Sequence, residues 1–382
     1  MAKSKVALVR CSSYDEQEVF TAVKSGIELL GGPEQFAARG EKLLLKPNVL
    51  VGTPPEQCVC THPSILKAVG RIFRSVTADV RFGDSPGPGN PLPHLITAGL
   101  AAAAEEIGLE LADFERGTPV ELSGYSRARR FLIADGVLEA DGIVSLSKLK
   151  THTLTRMTGA VKNLYGCIPG QTKRRYHFMY PSTFDFAEAL VALNLTLKPR
   201  VRLHIMDGIM GMEGNGPRNG DPVRIGALLF STDPVALDAM MCELIELNPL
   251  RVPTSSPGRR WSLGTYSRDE IELAGDSLSS ARPVSFKVER GPVRDFSTQG
   301  IMSFVDNAIG RRPVIDGGRC TRCGTCVEAC PVDPKALDWH DGNRKRPPSY
   351  KYSRCIRCFC CQEVCPEGAI SIRTPLLGRI FF

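Results

Sequence analysis

Cys320-Thr-Arg-Cys323-Gly-Thr-Cys326-Val-Glu-Ala-Cys330-Pro331 is followed by Cys355-Ile-Arg-Cys358-Phe-Cys-Cys361-Gln-Glu-Val-Cys365-Pro366. In each run three cysteines recur at every third position, and a Cys-Pro pair follows. A cubane needs several soft thiolates converging on one small volume, and a tight loop of this spacing delivers three of them. The fourth thiolate, from the Cys-Pro, crosses to the other cube. The spacing therefore predicts two [4Fe–4S] clusters, one on Cys320, Cys323, Cys326 and Cys365, the other on Cys355, Cys358, Cys361 and Cys330. Structural zinc fits less well, because zinc sites pair two CxxC units across a longer gap. Cys360 lies inside the second run but out of register, and is expected not to be a ligand.

The two runs also repeat one another. Arg319-Cys-Thr-Arg-Cys323 matches Arg354-Cys-Ile-Arg-Cys358, and Glu328 matches Glu363. Such self-similarity predicts two units packed about a pseudo-two-fold axis. From Arg311 to Phe382 there are thirteen Lys/Arg and seven Asp/Glu, so most of the chain's net charge of +7 sits here. Basic side chains beside anionic clusters offset their charge, and that reading is preferred to a nucleic-acid surface, for which no motif is present.

Working outward, 382 residues with 42% hydrophobic and 23% charged content describe an ordinary globular protein of two or three domains. No stretch reaches the ~20 apolar residues of a membrane span. Met1 to Arg10 reads as a first strand rather than an export signal, and a cytoplasmic location is expected. Fourteen cysteines without such a signal favour metal or redox chemistry over disulfides.

The preceding three hundred residues alternate between strand and helix patterns. Strands are expected at Lys5–Arg10, Lys42–Lys46, Asp79–Gly83, Asp141–Leu146, Arg200–Met206, Arg224–Phe230 and Val284–Glu289. Helices are expected at Asp15–Leu30, Pro63–Ser75, Leu95–Ile107, Ser182–Leu197, after Asp233-Pro234, and at Gly300–Ile309. The alternation predicts an α/β fold, a mostly parallel sheet with helices on both faces, over residues 1–310. A turn-rich lid or linker is expected at about 250–283. A small α+β unit with two clusters is expected over 311–375.

Ligands of open α/β sheets bind beyond the carboxyl ends of the strands. Polar groups at such ends include Lys46, Asn48, Asp84, Lys148, Lys150, His152, Lys162 and Asn163. Lys148, Lys150 and His152 alternate, so an extended backbone puts them on one face. Such cations suit a carboxylate, a phosphate or a developing enolate, although the same spacing also describes a solvated basic loop. Asp207 to Pro217 is Gly-rich around Glu213, which serves as an acid/base or as part of a plain turn. Cys58, Cys60 and Cys167 are either further ligands or buried small side chains.

Lys46-Pro-Asn48, Thr61-His-Pro63, Gly83-Asp-Ser-Pro-Gly87, Lys148-x-Lys-Thr-His152, Thr158-Gly-Ala-Val-Lys-Asn163, Glu213-Gly-x-Gly-Pro217 and Ser231-x-Asp-Pro-x-Ala-Leu-Asp238 together resemble the DUF362 family, a domain of unknown function often joined to a ferredoxin module. The cysteine-rich tail resembles the two-cluster bacterial ferredoxins. The resemblance implies that Lys148, Lys150, His152, Lys162, Asn163 and Glu213 form one pocket, and it supplies no reaction. With no flavin or NAD signature, the expected function is an iron–sulfur oxidoreductase fed by an external electron donor or redox partner protein. Its anionic small-molecule substrate would be clamped by Lys148, Lys150 and Lys162, with Lys46, Asn48, Asp84 and Asn163 as further binding groups. His152, Lys162 and Glu213 are the expected catalytic residues. The alternative is a non-catalytic electron-transfer or maturation protein that docks a partner enzyme.

Overall fold

The computed structural model describes residues 3–87, 89–122, 130–170, 172–281, 285–293, 295 and 309–376. Its centre is a nine-stranded mixed sheet. The strands are β1 (Ser4–Arg10), β2 (Leu43–Lys46), β3 (Val80–Phe82), β4 (Glu110–Leu111), β7 (Gly142–His152), β8 (Arg156–Thr158), β9 (Val201–Glu213), β10 (Asp221–Ser231) and β11 (Ile271–Gly275). β5 (Gly117–Glu121) and β6 (Arg130–Ala134) form a separate hairpin sheet. The order across the main sheet is β11-β1-β10-β9-β7-β2-β3-β4, with β8 paired to β7. β10 runs antiparallel to β1 and β9, and β8 to β7, while the remaining neighbours are parallel.

Side chains along each strand alternate between two apolar layers, as the pleat requires. Ala7, Leu43, Leu45, Val144, Leu146 and Ile205 face one layer with the helices Glu16–Glu28 and Pro63–Arg74. Val6, Leu8, Leu44, Ile143, Met206 and Leu229 face the other, covered by the helices Thr183–Leu197 and Pro234–Leu244. The expected α/β sheet with helices on both faces is therefore present. Asp15, Ser182 and Asp233 cap their helices by accepting from backbone N–H groups, which fixes where each begins.

The expected helix at Leu95–Ile107 is broken. Gly99, at φ 71°, separates Pro91–Thr97 from Leu100–Glu106, because a left-handed residue ends an α-helical ladder. The expected strand at Val284–Glu289 has no counterpart among its described residues, and β11 takes the sheet edge instead. The expected helix at Gly300–Ile309 lies outside the described residues except at its last position. The expected loop at Asp207–Pro217 is largely strand: β9 continues to Glu213, paired with Asp221 of β10.

Chain direction across the parallel strands decides where a ligand site belongs. From β2 the chain proceeds to β3 and β4 on one side, and from β7 to β9 on the other. The order reverses between β2 and β7, and open α/β sheets bind ligands at the carboxyl ends of the strands flanking such a reversal. Lys46 ends β2 and His152 ends β7.

The C-terminal module carries two short antiparallel pairs. β12 (Arg312–Ile315) pairs with β15 (Ile370–Arg373), and β13 (Leu337–Asp338) with β14 (Ser349–Tyr350). Its two halves share backbone conformation. Arg322 and Arg357 have φ of 62° and 57°, and Gly324 and Phe359 have φ of 88° and 61°. Each second left-handed residue opens a short helix, Thr325–Glu328 or Cys360–Val364. The sequence repeat is thus a conformational repeat.

Candidate functional site

Beyond the ends of β2, β3 and β7 lies a cavity of about 310 Å³ at the junction of the sheet with the cysteine-rich module. Asn48, Asp84, Lys150, His152, Lys162 and Asn163 line it from the sheet side, and Thr325, Ala329, Cys360 and Glu363 from the module. A larger cleft of about 550 Å³ on another side of the junction is lined by Arg156, Glu289 and Arg357 and by none of the strand-end candidates.

Lys46 is wholly buried and lies 2.7 Å from Asp84 Oδ1. Asp84 Oδ2 accepts from Val49 N at 2.6 Å. Asn163 Nδ2 donates to Ser145 Oγ (2.9 Å) and to the Lys46 carbonyl (3.3 Å). These groups brace one another and hold the β2 and β3 loops against β7. Gly166 is required at its position, because a Cβ there would overlap the Lys46–Asp84 pair. The short helix Ala160–Asn163 is aimed by Asp238, whose carboxylate accepts from Ala160 N (2.6 Å) and Val161 N (3.2 Å). Burial pushes the Asp238 carboxyl up to about 7, against those two donors.

Lys150 Nζ donates to the Val59 carbonyl at 2.5 Å, and burial lowers its pKa to about 8. Lys162 is also shifted down by burial, and its ammonium stands 5.3 Å from the centre of the Tyr165 ring. His152 Nδ1 accepts from Leu154 N (3.1 Å) and Thr155 N (3.3 Å), so the neutral ring carries its proton on Nε2. Nε2 lies 3.1 Å from Glu363 Oε1. Burial and the nearby Lys162 lower the His152 pKa, which keeps the ring neutral.

Two expected members lie elsewhere. Lys148 points the same way as Lys150 and His152, but its ammonium is consumed by Asp207 Oδ2 (2.8 Å) and Tyr14 Oη (2.6 Å). Glu213 accepts from Lys287 N (2.7 Å) and lies 3.2 Å from Lys287 Nζ, at the far end of β9. The pairing of β9 with β10 carries it there. The single pocket implied by the resemblance is corrected on both residues. Three members escape the sequence reading: Lys173 and His177 from the helix Thr172–Met179, and Glu363. The identity of Glu363 with Glu328 in the repeat was a signal for the position, not for its partner.

The residues after Glu213 receive the module. Gln362, wholly buried, donates through Nε2 to the Asn215 carbonyl (2.9 Å) and the Gly216 carbonyl (3.1 Å). Arg218 donates to the Val364 carbonyl (2.8 Å) and Asn219 to the Cys365 carbonyl (3.2 Å). The helix Cys360–Val364, which bears Cys361, is thereby held against the cavity.

The thiols fit clusters. Cys320, Cys323, Cys326 and Cys365 line one small cavity. Cys355 is close enough to Cys358 and Cys330 for their charges to raise its pKa, after burial. Ile315, Leu337, Trp339, Ala369 and Ile370 pack round Cys326, Cys361 and Cys365 as an apolar shell. Among the described residues no three His, Cys, Asp or Glu side chains converge as for a single metal ion. Cys58, Cys60 and Cys167 are buried thiols raised by desolvation, Cys167 to about 12, as befits small core side chains.

Residues 43–243, more than half of the chain, match the model of a domain of unknown function, DUF362. The chain belongs to the DUF362 family. Residues 309–369 match a 4Fe-4S dicluster domain, so this family member carries an iron–sulfur module suited to electron transfer. The thylakoid-associated protein sll1697 of Synechocystis sp. is 32% identical over 265 residues, 69% of this chain and 81% of its own. Among solved structures, the lactate racemase apoprotein from Thermoanaerobacterium thermosaccharolyticum is similar at a TM-score of 0.40 and 14% identity, over 64% of this chain and 57% of that one. A protein from Thermotoga maritima is similar at 0.38 and 10%, over 60% and 58%. The chain thus spans less than two thirds of either solved structure. No helix among the described residues is long and apolar enough to cross a membrane.

Proposed function

We propose that this DUF362 protein is an iron–sulfur oxidoreductase that reduces an activated C=C or C=O of an anionic small molecule held in the junction cavity. Its two [4Fe–4S] clusters would be held by Cys320, Cys323, Cys326 and Cys365, and by Cys355, Cys358, Cys361 and Cys330. When bound, they supply single low-potential electrons obtained from an external donor. One observation carries the reading: the same cavity is walled by strand-end cations and by the two short helices of the cluster module.

In this reading Lys150 and Lys162 hold the anionic group and stabilise charge that develops on the substrate. Asn48, Asp84 and Asn163 shape the wall, and Lys46 braces Asp84 from behind it. The reduced double bond takes up two electrons and two protons, both from solvent, and the neutral His152, beside Glu363, offers its Nε2–H as a hydrogen-bond donor to charge developing on the substrate. The experiment is anaerobic reduction followed by EPR during a substrate screen. About eight irons per chain and substrate-dependent loss of the reduced-cluster signals are expected. Signals that persist with every small molecule, but decay on adding a co-purifying protein, would instead favour docking of a partner enzyme.

A further inference from the structure

We infer that the ligand of the junction cavity is a dianion, recognised by Lys150, Lys162 and Lys173 together. The inference rests on the reading of this cavity as the substrate site and names the substrate's charge class. It comes from an account of the charges in the cavity wall among the described residues. Asp84 is committed to Lys46 and to Val49 N. Glu363 faces His152 Nε2 and also attracts Lys162. Arg218 is drawn toward the module, donating to the Val364 carbonyl.

Three ammonium groups then remain with neutral partners. Lys150 has the Val59 carbonyl, Lys162 the Tyr165 ring, and Lys173 the carbonyls of Ser85 and Pro86. Each ammonium carries three donors and a full charge, and unpaired cations in one desolvated space repel one another. Glu363 offsets one of the three in part, so the surplus is close to two once all three are protonated, as a bound dianion makes them. A second observation points to a ligand independently of charge. His177, buried and lining the same cavity, has no hydrogen-bond partner for Nδ1 among the described residues. Buried polar groups are ordinarily paired, so this nitrogen is left for a ligand hydroxyl or carbonyl.

Lys173 provides a readout. Burial lowers its pKa to about 7, Lys46 and Lys162 add to the shift, and Asp84 opposes it; Cys167 is its remaining ionisable neighbour. The free protein therefore holds a partly neutral Lys173 at neutral pH, and an arriving dianion draws a proton onto it.

The test is calorimetry on the oxidised, cluster-loaded full chain at pH 7.5, in two buffers of different ionisation enthalpy. The probes are succinate, phthalate and phenyl phosphate, each against its singly charged methyl ester. We expect at least one dianion to bind at least about tenfold more tightly than its ester, with proton uptake. The carboxylate and phosphate arms separate the two sources of charge. Lys162→Met and Lys173→Met should each reduce the preference by about tenfold, and Lys173→Met should lower the uptake to the smaller part that Lys150 supplies, whereas Lys173→Arg should keep the preference. Unchanged iron content certifies that the variants are folded. Failure of every dianion to bind, equal binding of the esters, or a preference that survives both methionine variants overturns the inference. No electrons enter this assay. A dianion bearing an activated C=C or C=O that binds without reoxidising reduced clusters refutes the reductase reading alone, and a monoanion that reoxidises them refutes this inference alone.

Discussion

His152 Nε2 lies 3.1 Å from Glu363 Oε1, so the end of a central strand meets the helix that bears Cys361. The other ring nitrogen accepts two backbone N–H groups, which leaves Nε2 as the donor and fixes the tautomer. The strand-end imidazole, oriented by its own turn, thus presents its one N–H toward the cluster module. A site assembled in this way is complete only when the module is docked.

Replacing Glu363 tests that dependence. Glu363→Ala should slow substrate-dependent cluster reoxidation by about 10–100-fold, the usual effect of removing the partner of a functional histidine. Glu363→Gln, which retains an acceptor oxygen, should lose less. Iron content and EPR line shape should match the parent in both. Equal rates in Glu363→Ala and the parent would remove Glu363 from the site.

The lysines give a pH test. An amine is cationic below its pKa, so a value lowered from 10.5 to about 8 means that Lys150 loses its charge as pH rises through about 8. Burial is the main cause, with Cys60 opposing and Lys162 and Lys148 adding. Substrate affinity should fall above pH 8 and not wait for pH 10. Stability moves the other way: the folded state binds fewer protons than the unfolded one between about 8 and 10.5, so Lys150 favours folding as pH rises across that window. A falling affinity there is therefore not a loss of Lys150's own contribution to folding. Lys150→Arg should move the fall to higher pH, and an identical profile in that variant would contradict the assignment.

The cluster module was readable because its chemistry is local: thiol spacing and the left-handed turns between thiols lie within a few residues of one another. Lys150 and His152 were readable because alternation in a strand is local too. Lys148 shares that face, yet Asp207 and Tyr14, distant in sequence, consume its charge. Glu213 misled because glycines suggest a loop, while pairing with β10 extends the strand through them. Lys173, His177 and Glu363 reach the cavity only through tertiary packing, which no local pattern encodes.

Gly159 makes a prediction about how the site is aimed. Its Cβ would overlap the Asp238 carboxylate that holds Ala160 N and Val161 N. Gly159→Ala must therefore displace Asp238 or the helix carrying Lys162. It should destabilise the fold by about 1–3 kcal/mol in urea unfolding, the usual cost of overpacking. Amide exchange at Ala160 and Val161 should quicken, since their acceptor is displaced. An unchanged unfolding midpoint with unchanged exchange would mean that Asp238 does not set the helix.

Cys360 distinguishes the cavity wall from the cluster ligands. It is buried, follows Cys358 and precedes Cys361 at the start of the helix that also bears Glu363, and lines the junction cavity. The four cysteines around the neighbouring small cavity do not include it. In the repeat its counterpart is Thr325, which also lines the junction cavity and has no thiol. The threonine half shows that this position does not need sulfur for the turn to form. Cys360→Ser should keep about eight irons per chain and both reduced-cluster signals. Because the substituted group faces the cavity, the effect should fall on substrate-dependent reoxidation. Loss of about four irons in Cys360→Ser would instead make Cys360 a ligand and displace one of Cys355, Cys358, Cys361 or Cys330 from the second cluster.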